Sequence, residues 1–184
     1  MIELADKILA IDASLGAAGL PHAFGGALAL AFHIAEPRGT RDIDVNVFVP
    51  PASAEAVFGS LPDEVTWSAV DVATVAGDGQ VRLFWDDTPV DLFFSTAPFH
   101  DRAAQHRRDV PFAGSTIPIL GADELVVFKA LGDRRKDWAD IEEIVRAGTA
   151  DVHVALGWLV DLLGADDGRV GRLRDVVREL GDER

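Results

Sequence analysis

Asp42 and Asp44 stand two residues apart in the run R-D-I-D-V-N-V-F-V-P at 41–50. In an extended chain alternate side chains leave on the same face, so the two carboxylates must share one surface. Carboxylates held that close repel, and each raises the other's affinity for a proton. A divalent cation removes the conflict. Hard oxygen donors suit magnesium, which takes one or two carboxylates and fills its remaining positions with water and phosphate oxygens. Asp91 lies between Val90 and Leu92 in an apolar stretch, where a buried charge needs compensation. If the segment 88–95 runs beside 41–50, Asp91 completes a trio able to bridge two ions about 3.5–4 Å apart, polarise a phosphate and activate a hydroxyl. Without that adjacency, Asp42 and Asp44 read as solvated residues on a sheet face and Asp91 as an acid at a strand entry.

Further residues could serve a phosphate. Gly25-Gly26 follow the short segment His22–Phe24 and precede an Ala- and Leu-rich run. Backbone amides without side chains can approach an anion closely, and a helix start favours phosphate. Arg38 and Arg41 flank Thr40 just ahead of the acids. Either arginine could neutralise phosphate charge, but Arg41 precedes Asp42 and belongs to the other strand face, so Arg38 is the better candidate. Thr40 could orient a phosphate or hold the local turn. Lys129, on the apolar run DELVVFKAL, could reach phosphate oxygens as a point charge or extend along the surface to water. Arg134, Arg135 and Lys136 could steer an anion or balance acidic surface. Asp137 and Asp140 read as residues that cap and pin their helix.

The elements that must place these residues follow from hydrophobic spacing. Residues 3–17 repeat apolar positions at helical intervals, and 22–24 read as a short strand. Residues 27–34 read as a helix stopped by Pro37. The segment 41–50 puts Ile43, Val45, Val47 and Val49 on one face and Asp42, Asp44, Asn46 and Phe48 on the other. Ser53 is placed to cap a helix containing Ala56, Val57 and Leu61. Residues 65–77 fit helix or strand, with a turn expected around Asp78. Residues 80–85 and 88–95 form a hairpin about Asp86-Asp87. A short helix at 99–106 and extended chain at 110–119 follow. After Gly121 the pattern is helical, with a break near Gly132 and Asp133 and further helices at about 151–163 and 169–180. Strands early and helices late predict an α+β fold: a core over 1–120 and a helical C-terminal region over 121–184 packed on it.

Composition narrows the functions. The chain of 184 residues has no cysteine, which removes disulfides, thiolate catalysis and sulfur-ligated metals. A net charge of −14 opposes extensive contact with a nucleic-acid backbone, while favouring divalent cations and leaving room for a basic protein partner. No apolar run reaches membrane-spanning length and no signal peptide is legible, so a cytoplasmic protein without a membrane contact is expected. The five histidines lack metal-ligand spacing, and neither G-x-x-x-x-G-K-S/T nor G-x-G-x-x-G occurs.

In combination, F-G-G at 24–26, R-G-T-R-D-I-D at 38–44 and V-D-L at 90–92 resemble the nucleotidyltransferase (polymerase-beta-like) superfamily. The closer likeness is to the bacterial branch that includes the AbiEii-type toxins, through Arg38, Thr40, Asp42, Ile43 and Asp44, the later Lys129, and R-K-D-W-A-D at 135–140. The resemblance implies a mixed sheet flanked by helices. Asp42 and Asp44 would be the first two metal-binding acids, and Asp91 the third, which helps activate the attacking hydroxyl. Gly25 and Gly26 would contact phosphate, with Arg38, Thr40 and Lys129 as further nucleotide contacts. It implies Mg2+, as one or two ions, and transfer of a nucleoside monophosphate from a nucleoside triphosphate to a hydroxyl acceptor. The acceptor is left open, as is a toxin-like role. The alternatives are a non-catalytic nucleotide-binding or antitoxin-like regulator, and a transferase acting on a small molecule such as an antibiotic.

Overall fold

The computed structural model describes residues 3–36 and 39–181. They fall into two compact units. One holds the described residues of Met1–Leu28 and Gly39–Leu120, the other those of Ala29–Arg38 and Gly121–Arg184.

The first unit is built on a seven-stranded mixed sheet. Its strands are β1 (His22–Phe24), β2 (Ile43–Val47), β3 (Val65–Thr66), β4 (Gln80–Trp85), β5 (Thr88–Phe94), β6 (Arg108–Phe112) and β7 (Ser115–Ile119), in the spatial order β3-β4-β5-β2-β1-β7-β6. Strand β2 runs parallel to β5 and antiparallel to β1, and β1 runs parallel to β7. The expected alternation holds where it matters. Ile43, Val45 and Val47 are buried on one face of β2, with Val90, Leu92 and Phe94 buried beside them on β5. This apolar face leaves the opposite one to Asp44 and Asp91.

The hairpin β4–β5 turns on Asp86, whose φ is +50°, a backbone state that short polar residues tolerate in tight turns. It is tied to helix α1 (Leu4–Ala17) by the buried Lys7. That ammonium donates to the Trp85 carbonyl at 2.9 Å, Thr88 Oγ1 at 3.0 Å and Asp86 Oδ2 at 3.3 Å.

The ambiguous stretch 65–77 divides. Val65–Thr66 is the edge strand, and α4 (Ala69–Asp78) begins at Ser68. The Ser68 backbone N–H and hydroxyl both donate to the Asp71 carboxylate, at 2.7 and 2.8 Å. The helix runs through Asp78 and ends on left-handed Gly79, so the turn falls one residue later than expected. Helix α3 is only Ala54–Phe58; Ser53 precedes it without a side-chain capping bond, and Leu61 lies beyond it. A helix of that length gains little from a cap and is held by its buried Val57 and Phe58. Helix α5 (Phe99–His106) closes the set in this unit.

Helix α2 (Gly26–Ile34) begins in the first unit and continues into the second. The second unit is otherwise helical: α6 (Ala122–Gly132), α7 (Arg135–Ala147), α8 (Val152–Leu163) and α9 (Gly168–Gly181). Its centre is the fully buried Trp138, whose indole N–H donates to Asp133 Oδ1 at 2.7 Å while the Arg172 guanidinium lies 4.5 Å from the ring centroid. No helix among the described residues is long and apolar enough to cross a membrane.

Candidate functional site

The adjacency on which the acidic residues depend is present. In the parallel pair β2–β5, Asp44 is the direct partner of Asp91, so their side chains leave the same face one strand apart. Asp42 sits in the bend one step before β2, and its charge, like that of Asp44, reaches the arginine that holds Asp91. The Asp42 carboxylate accepts a 2.6 Å hydrogen bond from the Thr40 hydroxyl, which also lies 3.0 Å from the Asp42 carbonyl oxygen. Thr40 therefore closes the local turn and sets the first acid. The other role expected of it, contact with a nucleotide, would have to share that hydroxyl.

Gly25 and Gly26 are built around Asp44. The Gly25 amide donates to the Asp44 carbonyl at 2.9 Å. Gly26 opens α2 with φ +55°, and a Cβ there would overlap Asp44 Oδ2. The glycine is thus required twice, by its backbone conformation and by the carboxylate lying over it. The Asp44 carboxylate lies at the start of α2, where the helix dipole favours negative charge. A phosphate drawn to the same amides would arrive beside Asp44.

One functional side chain was not singled out from the sequence. Arg82 on β4 pairs directly across from Asp91 and forks onto it, with Nε 2.7 Å from Oδ1 and Nη2 2.6 Å from Oδ2. The Asp91 side chain is 14% exposed and that of Arg82 53%. Hydrogen bonding and charge attraction to Asp91, with the nearby charges of Asp42 and Asp44, push the guanidinium's pKa above its ordinary value. The signal was present in the sequence. A two-residue tip at 86–87 pairs Trp85 with Thr88, and counting three residues back along each arm puts Arg82 opposite Asp91.

The remaining candidates are described by their own partners. Lys129 belongs to the second unit, where it is buried and donates to Asp140 Oδ2 at 2.6 Å. Its partner is thus Asp140 on the next helix, and the side chain does not extend along the surface to water. Arg134 forks onto the buried Asp137, whose Oδ2 also accepts from the Arg134 backbone N–H at 3.2 Å, so Asp137 caps α7. Arg38 lies outside the described residues. His22 hydrogen-bonds through both ring nitrogens, to the Leu20 carbonyl at 2.8 Å and Asp12 Oδ1 at 2.9 Å, which is a packing role.

The donor set suits magnesium. Asp42 and Asp44 offer hard carboxylate oxygens of the kind magnesium takes, and the Asp44 carboxylate lies over Gly26. Among the described residues, however, no three acidic or histidine side chains are gathered closely enough to hold an ion together. The expected trio is a pair of acids plus a third that an arginine engages.

No protein-family model and no curated protein matches this sequence. Solved structures do. The chain is similar to the antibiotic-resistance factor ANT(2'')-Ia in solution, with a TM-score of 0.54 at 16% identity, covering 97% of this chain and 93% of that one. It is similar to ANT(2'')-Ia in complex with adenylyl-2''-tobramycin, with a TM-score of 0.54 at 17% identity over 95% and 97% of the two chains. The lincomycin-bound lincosamide antibiotic adenylyltransferase LnuA gives a TM-score of 0.52 at 11% identity over 76% and 94%. The fold is that of the nucleotidyltransferases: a mixed sheet flanked by helices.

Proposed function

We propose that this chain is a magnesium-dependent nucleotidyltransferase that moves a nucleoside monophosphate from a nucleoside triphosphate to a hydroxyl group of a small molecule. The observation that carries it is the direct pairing of Asp44 with Asp91, beside Gly26 at the start of α2. Asp42 and Asp44 would hold the cation, with Thr40 fixing Asp42. When bound, magnesium would draw charge from the triphosphate and make its α-phosphorus more electrophilic. The α2 amides would hold the phosphate tail. The acceptor oxygen would form a bond to the α-phosphorus as the bridging P–O bond to the β-phosphate breaks. Pyrophosphate would leave with that electron pair. Asp91 would take the acceptor's proton: each of its oxygens has a second lone pair beyond the one Arg82 uses.

Two features favour a small acceptor. The net charge of −14 opposes a polynucleotide and attracts cationic or neutral compounds. The solved structures of like fold include an adenylyl-tobramycin complex and a lincosamide adenylyltransferase. A toxin-like role would instead require an RNA or protein acceptor. The test is pyrophosphate release and label transfer from each of the four common NTPs with Mg2+. The acceptors would be a panel of hydroxylated amines and sugars, bulk transfer RNA and a protein lysate. Labelling of a small compound is expected. Labelling of RNA or protein alone would move the reading to the toxin class, and no turnover in protein that binds neither metal nor nucleotide would end it.

A second reading, a non-catalytic nucleotide-binding or antitoxin-like regulator, draws on the same arginine fork. Nucleotide binding without turnover, unchanged by Asp91→Ala, would select it.

A further inference from the structure

We infer that Phe84 determines acceptor specificity, as the surface on which a ring bearing the reactive hydroxyl rests. The inference depends on the nucleotidyl transfer proposed for this site and adds the shape of acceptor it takes. The strand order fixes where that acceptor lies. Gly25-Gly26 follow β1 on one side of β2, and Asp91 on β5 stands on the other side. In-line displacement puts the attacking oxygen opposite the phosphate tail. With the tail at the glycines and the proton passing to Asp91, the body of the acceptor lies over the strands beyond, β4 and β3.

Side chains alternate along β4. Val81, Leu83 and Trp85 are buried, while Gln80, Arg82 and Phe84 lie on the face that carries Asp91. Phe84 is directly across from Pro89 on β5 and Thr66 on β3. It is therefore the diagonal neighbour of Asp91, one row on from the Arg82 fork and toward the end of β2 next to Asp42. Such neighbours stand about 7–8 Å apart, within reach of a ring and its hydroxyl. Phe84 is 44% exposed, although its ring would gain from burial. The other exposed large apolar side chains described in this unit are Trp67 and Val70. Trp67 leans on Phe58, which packs against Phe94 on the buried side of the sheet, and Val70 belongs to α4. Phe84 is the one on the strand face of Arg82 and Asp91. A flat aromatic face favours the C–H groups of a ring laid over it. An open chain would have to freeze its rotatable bonds to lie as flat, whereas a ring has already lost them. The Arg82 guanidinium stands beside Phe84 along the strand, so the part of the acceptor nearest the hydroxyl is uncharged and any ammonium belongs farther out.

The experiment uses the full chain and pairs each ring compound of the acceptor panel with an open-chain counterpart, as methyl glucoside with glucitol and aminocyclohexanol with aminohexanol. Initial rates of label transfer with Mg2+ give kcat and KM for acceptor and NTP. Wild type should favour the ring of each pair about tenfold or more in kcat/KM. Phe84→Val keeps an apolar residue suited to a strand and removes the flat face. It should raise the KM of ring acceptors about five- to tenfold, leave kcat and the KM of the NTP within about twofold, and erase the preference for rings. Phe84→Trp should retain that preference. If Phe84→Val instead raises the KM of the NTP, the ring holds the nucleobase, and the inference fails while nucleotidyl transfer stands. It fails equally if wild type labels chains as well as rings, or if Phe84→Val leaves the acceptor KM unchanged. If wild type labels only RNA or protein, or nothing, the small-acceptor function falls and the inference falls with it.

Discussion

Two arginine–aspartate forks in this molecule are nearly the same in their bonds and differ in what surrounds them. Arg134 meets Asp137 at 2.7 and 3.0 Å, and Arg82 meets Asp91 at 2.7 and 2.6 Å. Asp137 is 1% exposed, and its other partner is the backbone N–H of Arg134 at the start of α7. Its charge is committed to the end of a helix. Asp91 is 14% exposed, and its neighbour across β2 is a second carboxylate. A fork whose carboxylate also caps a helix serves stability. A fork set among other acids manages charge that a ligand could manage instead. Hydrogen-bond geometry alone does not tell the two apart.

The contrast can be broken by substitution. The largest effect should come from the acids on which the first unit's site depends: Asp42→Ala or Asp44→Ala should lower nucleotidyl transfer about a thousandfold, or about 4 kcal/mol, at unchanged circular dichroism. A smaller drop would mean that the chemistry lies elsewhere. Gly26→Ala should follow at about a hundredfold, since the added methyl must push the Asp44 carboxylate aside. Steady-state kinetics on the folded variant would check it, and full activity would show that Asp44 need not sit over the helix start.

The two forks should then separate in denaturant titrations. Asp137→Ala should lose about 2–4 kcal/mol through its cap and buried charge pair. Asp91→Asn should change stability by less than about 1 kcal/mol, because its arginine is largely in water. Equal losses would dissolve the distinction.

The smallest effect concerns pH. Burial pushes the His100 imidazole below its ordinary value of 6.5, against a hydrogen bond to the Ala97 carbonyl and the charge of Asp101, which pull the other way. The unfolded chain therefore takes up a proton as pH falls through about 6.5 while the folded chain does so only lower. Stability from this group is complete above 6.5 and declines below it. The melting temperature should fall more between pH 7.5 and 5.5 in the parent than in His100→Gln, with pH steps of about one unit resolving the difference. Parallel curves would count against it.

Much of this was legible from side-chain periodicity. The face that carries Asp44 followed from a two-residue repeat, and the hairpin at 80–95 from its apolar alternation about a polar tip. The α+β character followed from the order of elements. What stayed hidden was pairing between distant segments. No local pattern shows that β2 lies parallel to β5, and without it Asp91 is an isolated acid. Lys129 finds Asp140 across the α6–α7 break, a pairing that no spacing within one helix reveals. Arg82 was readable from the hairpin register alone, but a lone arginine on an amphipathic strand draws no notice until its partner is known to matter.

Lys7, far from the acids along the chain, has a consequence for their charge. Its ammonium grips Trp85, Asp86 and Thr88, the residues that fix how many positions the hairpin tip contains. One inserted residue there, absorbed as a slip of β4, would turn Arg82 toward the buried side and bring an aliphatic neighbour to face Asp91. The acidic surface would lose its built-in counterion without any change to the acids themselves. In chains of this architecture, tip length can therefore set the cation demand of a sheet face several residues away.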